Sequence, residues 1–183
     1  MFALLRARRC VAALEFALLA PIFVMIFAGV ADLGNALYTW SKLEEALALG
    51  ANYALMNQAQ INSTNGKALA NTIATIVATS NPGTAANSTV VVNNGPAAAV
   101  TGGGTPADSG TAANADKYYC LTGSPTSWNW GTAYTDSTTQ CTDGSQSGQF
   151  VTITVSYNFT PFFISYGFVR NGLMTAGTAV QAN

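Results

Sequence analysis

The sequence predicts an α+β protein: a long N-terminal transmembrane helix followed by a small antiparallel β-sheet domain with one short extra helix. Three observations lead there. The 183 residues suit one ordinary domain with an appendage. From Val11 to Ala31 the run VAALEFALLAPIFVMIFAGVA carries a single charge, Glu15. At about 1.5 Å per helical residue it spans roughly 30 Å, one hydrocarbon core. Beyond Val77, helical spacing gives way to short alternating runs separated by turn residues.

Composition narrows the functional classes. Charged residues make up 8% of the chain and hydrophobic residues 49%, whereas soluble domains carry about 25% charge. Seven basic and eight acidic side chains leave a net charge of −1, so the concentrated basic surface that nucleic acid requires is missing. Histidine is absent. That removes imidazole bases, Ser-His-Asp triads and every His-containing metal set. Neither a cofactor nor a metal site is expected.

The elements follow in order. Residues 1–10 read as a basic leader with Arg6, Arg8 and Arg9, which orients the span with its N-terminus in the cytoplasm. Residues 11–58 read as the transmembrane helix continuing outside as an amphipathic helix. Its expected core stripe is Leu33, Leu37, Trp40, Leu43, Leu47, Ala51 and Ala54, with Lys42, Glu44 and Glu45 off it. Asn62-Ser63-Thr64-Asn65-Gly66 breaks the helix. A second helix from Lys67 to about Thr79 presents Leu69, Ile73, Ile76 and Val77, and Asn81-Pro82-Gly83 stops it.

The rest of the extracytoplasmic α+β domain, 59–183, reads as strands and turns. Thr89–Val92 is a strand and Asn93-Asn94-Gly95-Pro96 a turn. The stretch 97–115 is rich in Ala, Gly and Thr, and Gly102-Gly103-Gly104 within it lacks the context of a phosphate loop and reads as a flexible loop. Phe150–Tyr157 is the clearest strand, with Val151, Ile153, Val155 and Tyr157 on one face, and 176–181 supplies a closing strand. Cys120 and Cys141 fall in this region. In an oxidising compartment their pairing is preferred to two free thiols, and closing the loop contributes about 3 kcal/mol in the chain-entropy model. The enclosed segment carries Trp128, Trp130 and Tyr134, candidates for a surface contact set against a loop that packs its own rings. Asp108, Asp116, Asp136 and Asp143 are the acids open to acid–base work, with no calcium-loop pattern among them.

Three fates compete for the N-terminus: a cleaved secretory signal, a lipoprotein signal and an uncleaved anchor. The apolar run is long for the first, and Cys10 precedes the run, which removes the second. Glu15 adds a further consideration, because an acid in an apolar span commonly marks function.

The stretch Arg8-Arg9-Cys10-Val11-Ala12-Ala13-Leu14-Glu15-Phe16 resembles the cleavage region of type IV pilin precursors. With Glu15–Pro21 and Phe27–Tyr38 included, it looks more specifically like the TadE/TadG-type minor pilins of tight-adherence pilus systems. Cys10 stands where that family usually has Gly or Ala. The resemblance implies a pilin-type helix and cutting by a prepilin peptidase between Cys10 and Val11, leaving Glu15 as fifth residue. It also implies other pilin subunits and the assembly machinery as partners, a bacterial inner-membrane location before assembly, and no catalysis. Glu15 of one subunit would then neutralise the new Val11 ammonium of a neighbour and set register, with Phe16 packing beside the pair.

Ala13, Ala17, Ala20, Ala28 and Ala31, with Val24, form a smooth stripe suited to close helix packing. Pro21 removes one helical hydrogen bond and is expected to kink or loosen the span. The runner-up reading is an uncleaved single-pass envelope protein whose outer domain binds a ligand or matrix through the Trp loop. An anchored carboxylate-dependent hydrolase stands third.

Overall fold

A computed structural model describes residues 2–80, 86–163, 167 and 169–182, with side chains from residue 13 onward. The chain is α+β, a long apolar N-terminal helix followed by an antiparallel sheet and one short helix. Helix α1 covers Phe2–Met56 and continues unbroken through Pro21. Helix α2 covers Gly66–Thr79. The strands are β1 (Asn87–Val92), β2 (Ala97–Val100), β3 (Ala107–Ser109), β4 (Thr122–Ser124), β5 (Ser127–Asn129), β6 (Phe150–Phe159) and β7 (Gly172–Gln181). Two compact units result, one of Met1–Tyr38 with Phe159–Gly172 and one of Thr39–Asn158 with Leu173–Asn183.

The second unit holds the core. Its main sheet has the order β3-β2-β1-β6-β7, and β4 and β5 form a separate hairpin. Strand β1 pairs antiparallel with β2 (Val90 opposite Ala98) and with β6 (Val90 opposite Ile153). The inward residues of these strands meet Leu69, Ile73 and Val77 of α2 and Leu43, Ala46 and Ala54 of α1 in one apolar cluster. Full burial of a side chain such as Ile73 contributes roughly 1.5–3 kcal/mol. Gly50 permits the close approach: a Cβ there would lie 2.6 Å from Val77 Cγ2 and 3.2 Å from Ile153 Cδ1.

Several expectations need adjustment. Of the expected stripe, Leu43, Leu47 and Ala54 are buried and Ala51 packs partly buried against the core, whereas Leu33, Leu37 and Trp40 are 55%, 63% and 41% exposed. Ala36, Thr39, Ala46 and Gly50 are the further buried positions from Ala36 onward, so the seam recurs at spacings of three and four. Small side chains bring the helix backbone close to its neighbours, which decides the face. Around the Gly102–Gly104 turn, the stretch 97–115 holds β2, β3 and a 3-10 turn beginning at Ala112. Ala98 and Val100 are buried there, so sheet pairing overrides the weak strand preference of alanine. The stop at Asn81-Pro82-Gly83 lies outside the described residues.

Turn chemistry joins these pieces. The Asn62 carboxamide accepts the Thr64 and Asn65 amides (3.0 and 2.8 Å), closing the break before α2. At the β1–β2 turn, Asn93 and Asn94 adopt φ of 50° and 53°, a left-handed pair suited to a two-residue hairpin. Asn93 is fully buried. Its Nδ2 donates to the carbonyls of Ala115 (2.9 Å) and Lys117 (2.5 Å), and its Oδ1 accepts the Phe150 amide (3.2 Å). One carboxamide thus fixes the end of β1, the start of β6 and the 112–117 turn. Asn93→Ala should lower stability by roughly 2–4 kcal/mol, because it strands buried carbonyl and amide groups and leaves a Cβ residue at positive φ. Urea unfolding of the full chain in detergent checks this, and an unchanged midpoint would deny Asn93 that role.

Candidate functional site

The part of α1 nearest the N-terminus is the outstanding surface of the molecule. The described portion from Ala13 has the length and apolarity of a membrane span, with a mean hydropathy of 2.3 in its most apolar window. Leu14, Phe16, Leu18 and Phe27 are each at least 70% exposed, and Ile22, Phe23, Val24 and Ile26 lie between 53% and 55%. Water does not tolerate a continuous apolar surface of this kind on a soluble monomer. The helix has the character of a single-pass membrane anchor.

Within this surface the sequence-selected residues are placed as follows. Glu15 is exposed and, among the described residues, has no hydrogen-bond or ion-pair partner. It lines a shallow apolar groove with Leu14, Leu18 and Leu19. Phe16 is 71% exposed. Ala13, Ala17 and Ala31 are exposed and Ala20 is half-buried, while Ala28 is buried within the chain. Cys10 and Val11 lie in α1, but their side chains fall outside the described residues.

One residue of this unit escaped sequence reasoning. Asp32 is completely buried. Its carboxylate accepts the Phe162 amide at 2.8 Å and the Phe163 amide at 3.2 Å on each oxygen. The only sequence signal was an acid directly after the apolar run, and its partners stand 130 and 131 positions later.

The distal loop is organised around its own chemistry. A disulfide joins Cys120 and Cys141, with Cα atoms 5.6 Å apart. Trp130 packs edge-on against buried Tyr119, ring centroids 5.6 Å apart, and Tyr134 pairs through its backbone with Tyr118. The Trp128 indole nitrogen is buried without an acceptor among the described residues. Among the described residues no group of three or more Cys, Asp or Glu is placed to hold a metal.

The four aspartates singled out from sequence are each engaged locally. Asp108 meets Lys67 Nζ at 2.8 Å, and Asp116 accepts the Ser63 amide at 2.8 Å. Asp136 accepts the Thr138 hydroxyl at 2.7 Å and its amide at 3.0 Å. Asp143 accepts the Ser145 hydroxyl and amide at the same two distances, 2.7 and 3.0 Å. Each carboxyl is held below its ordinary range, Asp108 chiefly by Lys67, Asp116 by Ser63, Asp136 by Thr138 and Asp143 by Ser145. A general acid needs the opposite shift.

Depressed folded values stabilise the fold above the unfolded carboxyl pKa, about 3.9, and that contribution is lost as pH falls through the folded values. The loop signal of Trp128 and Trp130 in near-UV circular dichroism should therefore hold steady on mild acidification and decline only below about pH 4. Asp136→Asn with Asp143→Asn should flatten that decline. A loss centred well above pH 4 would contradict the assignment.

Residues 11–52 match the family of TadE-like proteins. The match covers most of α1 and leaves α2 and the sheet outside it. No curated protein and no solved structure matches the chain. An exposed, membrane-length apolar helix and the match to TadE-like proteins coincide on one segment of the chain.

Proposed function

We propose that the protein is a minor pilin or pilus-assembly subunit of a tight-adherence type IV pilus, processed by a prepilin peptidase and packed through its N-terminal helix to support adhesion. The observation that carries this reading is the coincidence of the TadE-like match with the exposed apolar part of α1. The match opens at Val11, the residue that cutting after Cys10 would expose. In the precursor, residues 1–10 are the cytoplasmic leader, and Arg6, Arg8 and Arg9 hold the N-terminus on that side. The domain from 59 onward then stands outside the membrane.

Cleavage creates an ammonium at Val11 and releases the leader charges. Glu15 of a neighbouring subunit neutralises that ammonium, which lowers the cost of keeping either charge in apolar surroundings and fixes the axial register. Glu15 supports this role by its exposure on an apolar helix without a partner among the described residues. Phe16, Ala13, Ala17, Ala20 and Ala31 supply the packing surface around the pair. The buried Ala28 belongs instead to the subunit's own fold. Pro21 eases withdrawal of the span from the bilayer by removing one backbone hydrogen bond. The Cys120–Cys141 bridge keeps the distal loop folded outside the cell. The work is assembly, without catalysis.

Mass spectrometry of the N-terminus from the native host tests the processing step. A chain beginning at Val11, with a methylated amine, is expected, and retention of Met1 in the pilus-associated protein would overturn the proposal. Glu15→Ala should leave membrane insertion intact and cut incorporation by about tenfold, equivalent to about 1.4 kcal/mol per subunit contact. Unchanged pilus-associated protein in that variant would remove Glu15 from the mechanism.

A further inference from the structure

We infer that the segment following β6, from Thr160 to Phe163, is a second membrane contact: an interfacial hook held to the end of the span by Asp32, with the lipid surface as its partner. The inference rests on α1 being the membrane anchor. Asp32 lies within the TadE-like match, and Phe162 and Phe163 lie far outside it.

The height of the hook follows from helix geometry. The apolar run ends at Ala31, and Asp32 is the next residue. A helix starting at Val11 and rising about 1.5 Å per residue brings Asp32 to the edge of a hydrocarbon core roughly 30 Å thick. The Phe162 amide lies 2.8 Å from the Asp32 carboxylate, so Phe162 is at the same level. Its side chain is 72% exposed. An aromatic ring at that height meets the boundary between headgroups and acyl chains, where such rings anchor peripheral elements.

A second observation extends the contact inward. Val169 lines an apolar groove with Met25, Ile26, Gly29, Val30 and Leu33 of α1. Met25 and Ile26 lie nearly two turns on the membrane side of Asp32, inside the apolar run. Val169 of the returning chain thus shares a groove with α1 at a level where, with α1 as the anchor, lipid is the surrounding solvent. Ala28, one turn from Asp32 on the same face, is only 2% exposed.

The buried acid fits this setting. Irregular backbone near hydrocarbon is costly unless its amides are satisfied by the protein, because little water is there to do so. Asp32 satisfies two consecutive amides at once. A carboxylate also forms stronger hydrogen bonds with amides than a neutral acceptor does. Pro161, immediately before them, has no amide to satisfy. The arrangement lets Phe162 face lipid without leaving bare backbone donors beside it.

Photocrosslinking of the full chain in its native membrane tests the hook. The photoreactive amino acid p-benzoylphenylalanine replaces Phe162 in one version and Ile26 in another, and the adducts are identified by mass. Lipid adducts are expected at both positions. Those at 162 should be lost in an Asp32→Ala background while those at 26 remain. Lipid adducts at 26 but none at 162 would overturn the hook and leave the anchor standing. Adducts at 162 to a second copy or another protein would reassign Phe162 to a subunit contact. Lipid adducts at 162 that persist undiminished in Asp32→Ala would remove Asp32 from the device. Absence of lipid adducts at both positions would bring down the anchor reading itself.

Discussion

The fold depends on one constraint: α1 is apolar on nearly every side from Val11 to Ala31 and on only one side afterwards. In that stretch Glu15 is the single charge, and side chains such as Leu14, Phe16 and Phe27 stand exposed. From Asp32 onward charged residues return and are paired along the helix surface. Lys42 meets Glu45 at 2.6 Å, and the Trp40 indole donates to Glu44 at 2.9 Å. A helix with these two kinds of surface requires lipid or other apolar helices along one stretch and a folded core along the other.

That core is built on proximity rather than bulk. The buried α1 positions of this unit, Thr39, Ala46, Gly50 and Ala54, are mostly small, with Leu43 and Leu47 as the large insertions. Facing them, α2 and the sheet contribute larger residues, so that Gly50 sits under Val77, Ile73 and Ile153. Interdigitation of small against large gives close packing without a wide hydrophobic stripe on α1. Polar ties then hold the edges, such as the buried Ser88 hydroxyl donating to the Ala74 carbonyl at 2.7 Å.

The same feature explains how far the sequence could be read. The span, the break at Asn62–Gly66, α2, the Asn93–Asn94 turn and β6 were all legible, because each rests on local chemistry: apolar length, turn-forming carboxamides, alternating valines. The inward face of α1 was legible from Leu43 to Ala54 but not before it, where Leu33, Leu37 and Trp40 are exposed and the smaller Ala36 and Thr39 between them are buried. Strand β2 was missed because Ala97-Ala98-Ala99-Val100 has little strand preference of its own and takes its form from pairing with β1. The β4–β5 hairpin was missed because Gly123 and Pro125 suggest only a turn. In the fold, Thr154 donates to the Pro125 carbonyl at 3.3 Å, a contact no local pattern announces.

The two acids of α1 show where local reading ends and assembly begins. Asp32 and Glu15 both accompany the apolar run, though only Glu15 looked costly in sequence. The fold resolves Asp32 completely, burying it against two amides supplied by the far end of the chain. It does not do the same for Glu15, which stays exposed among leucines with no partner among the described residues. The partner proposed for Glu15, the Val11 ammonium of a neighbour, arrives from outside the subunit. Asp32 thereby serves the tertiary fold and Glu15 the proposed quaternary one, and only the second depends on cleavage having exposed a new amine.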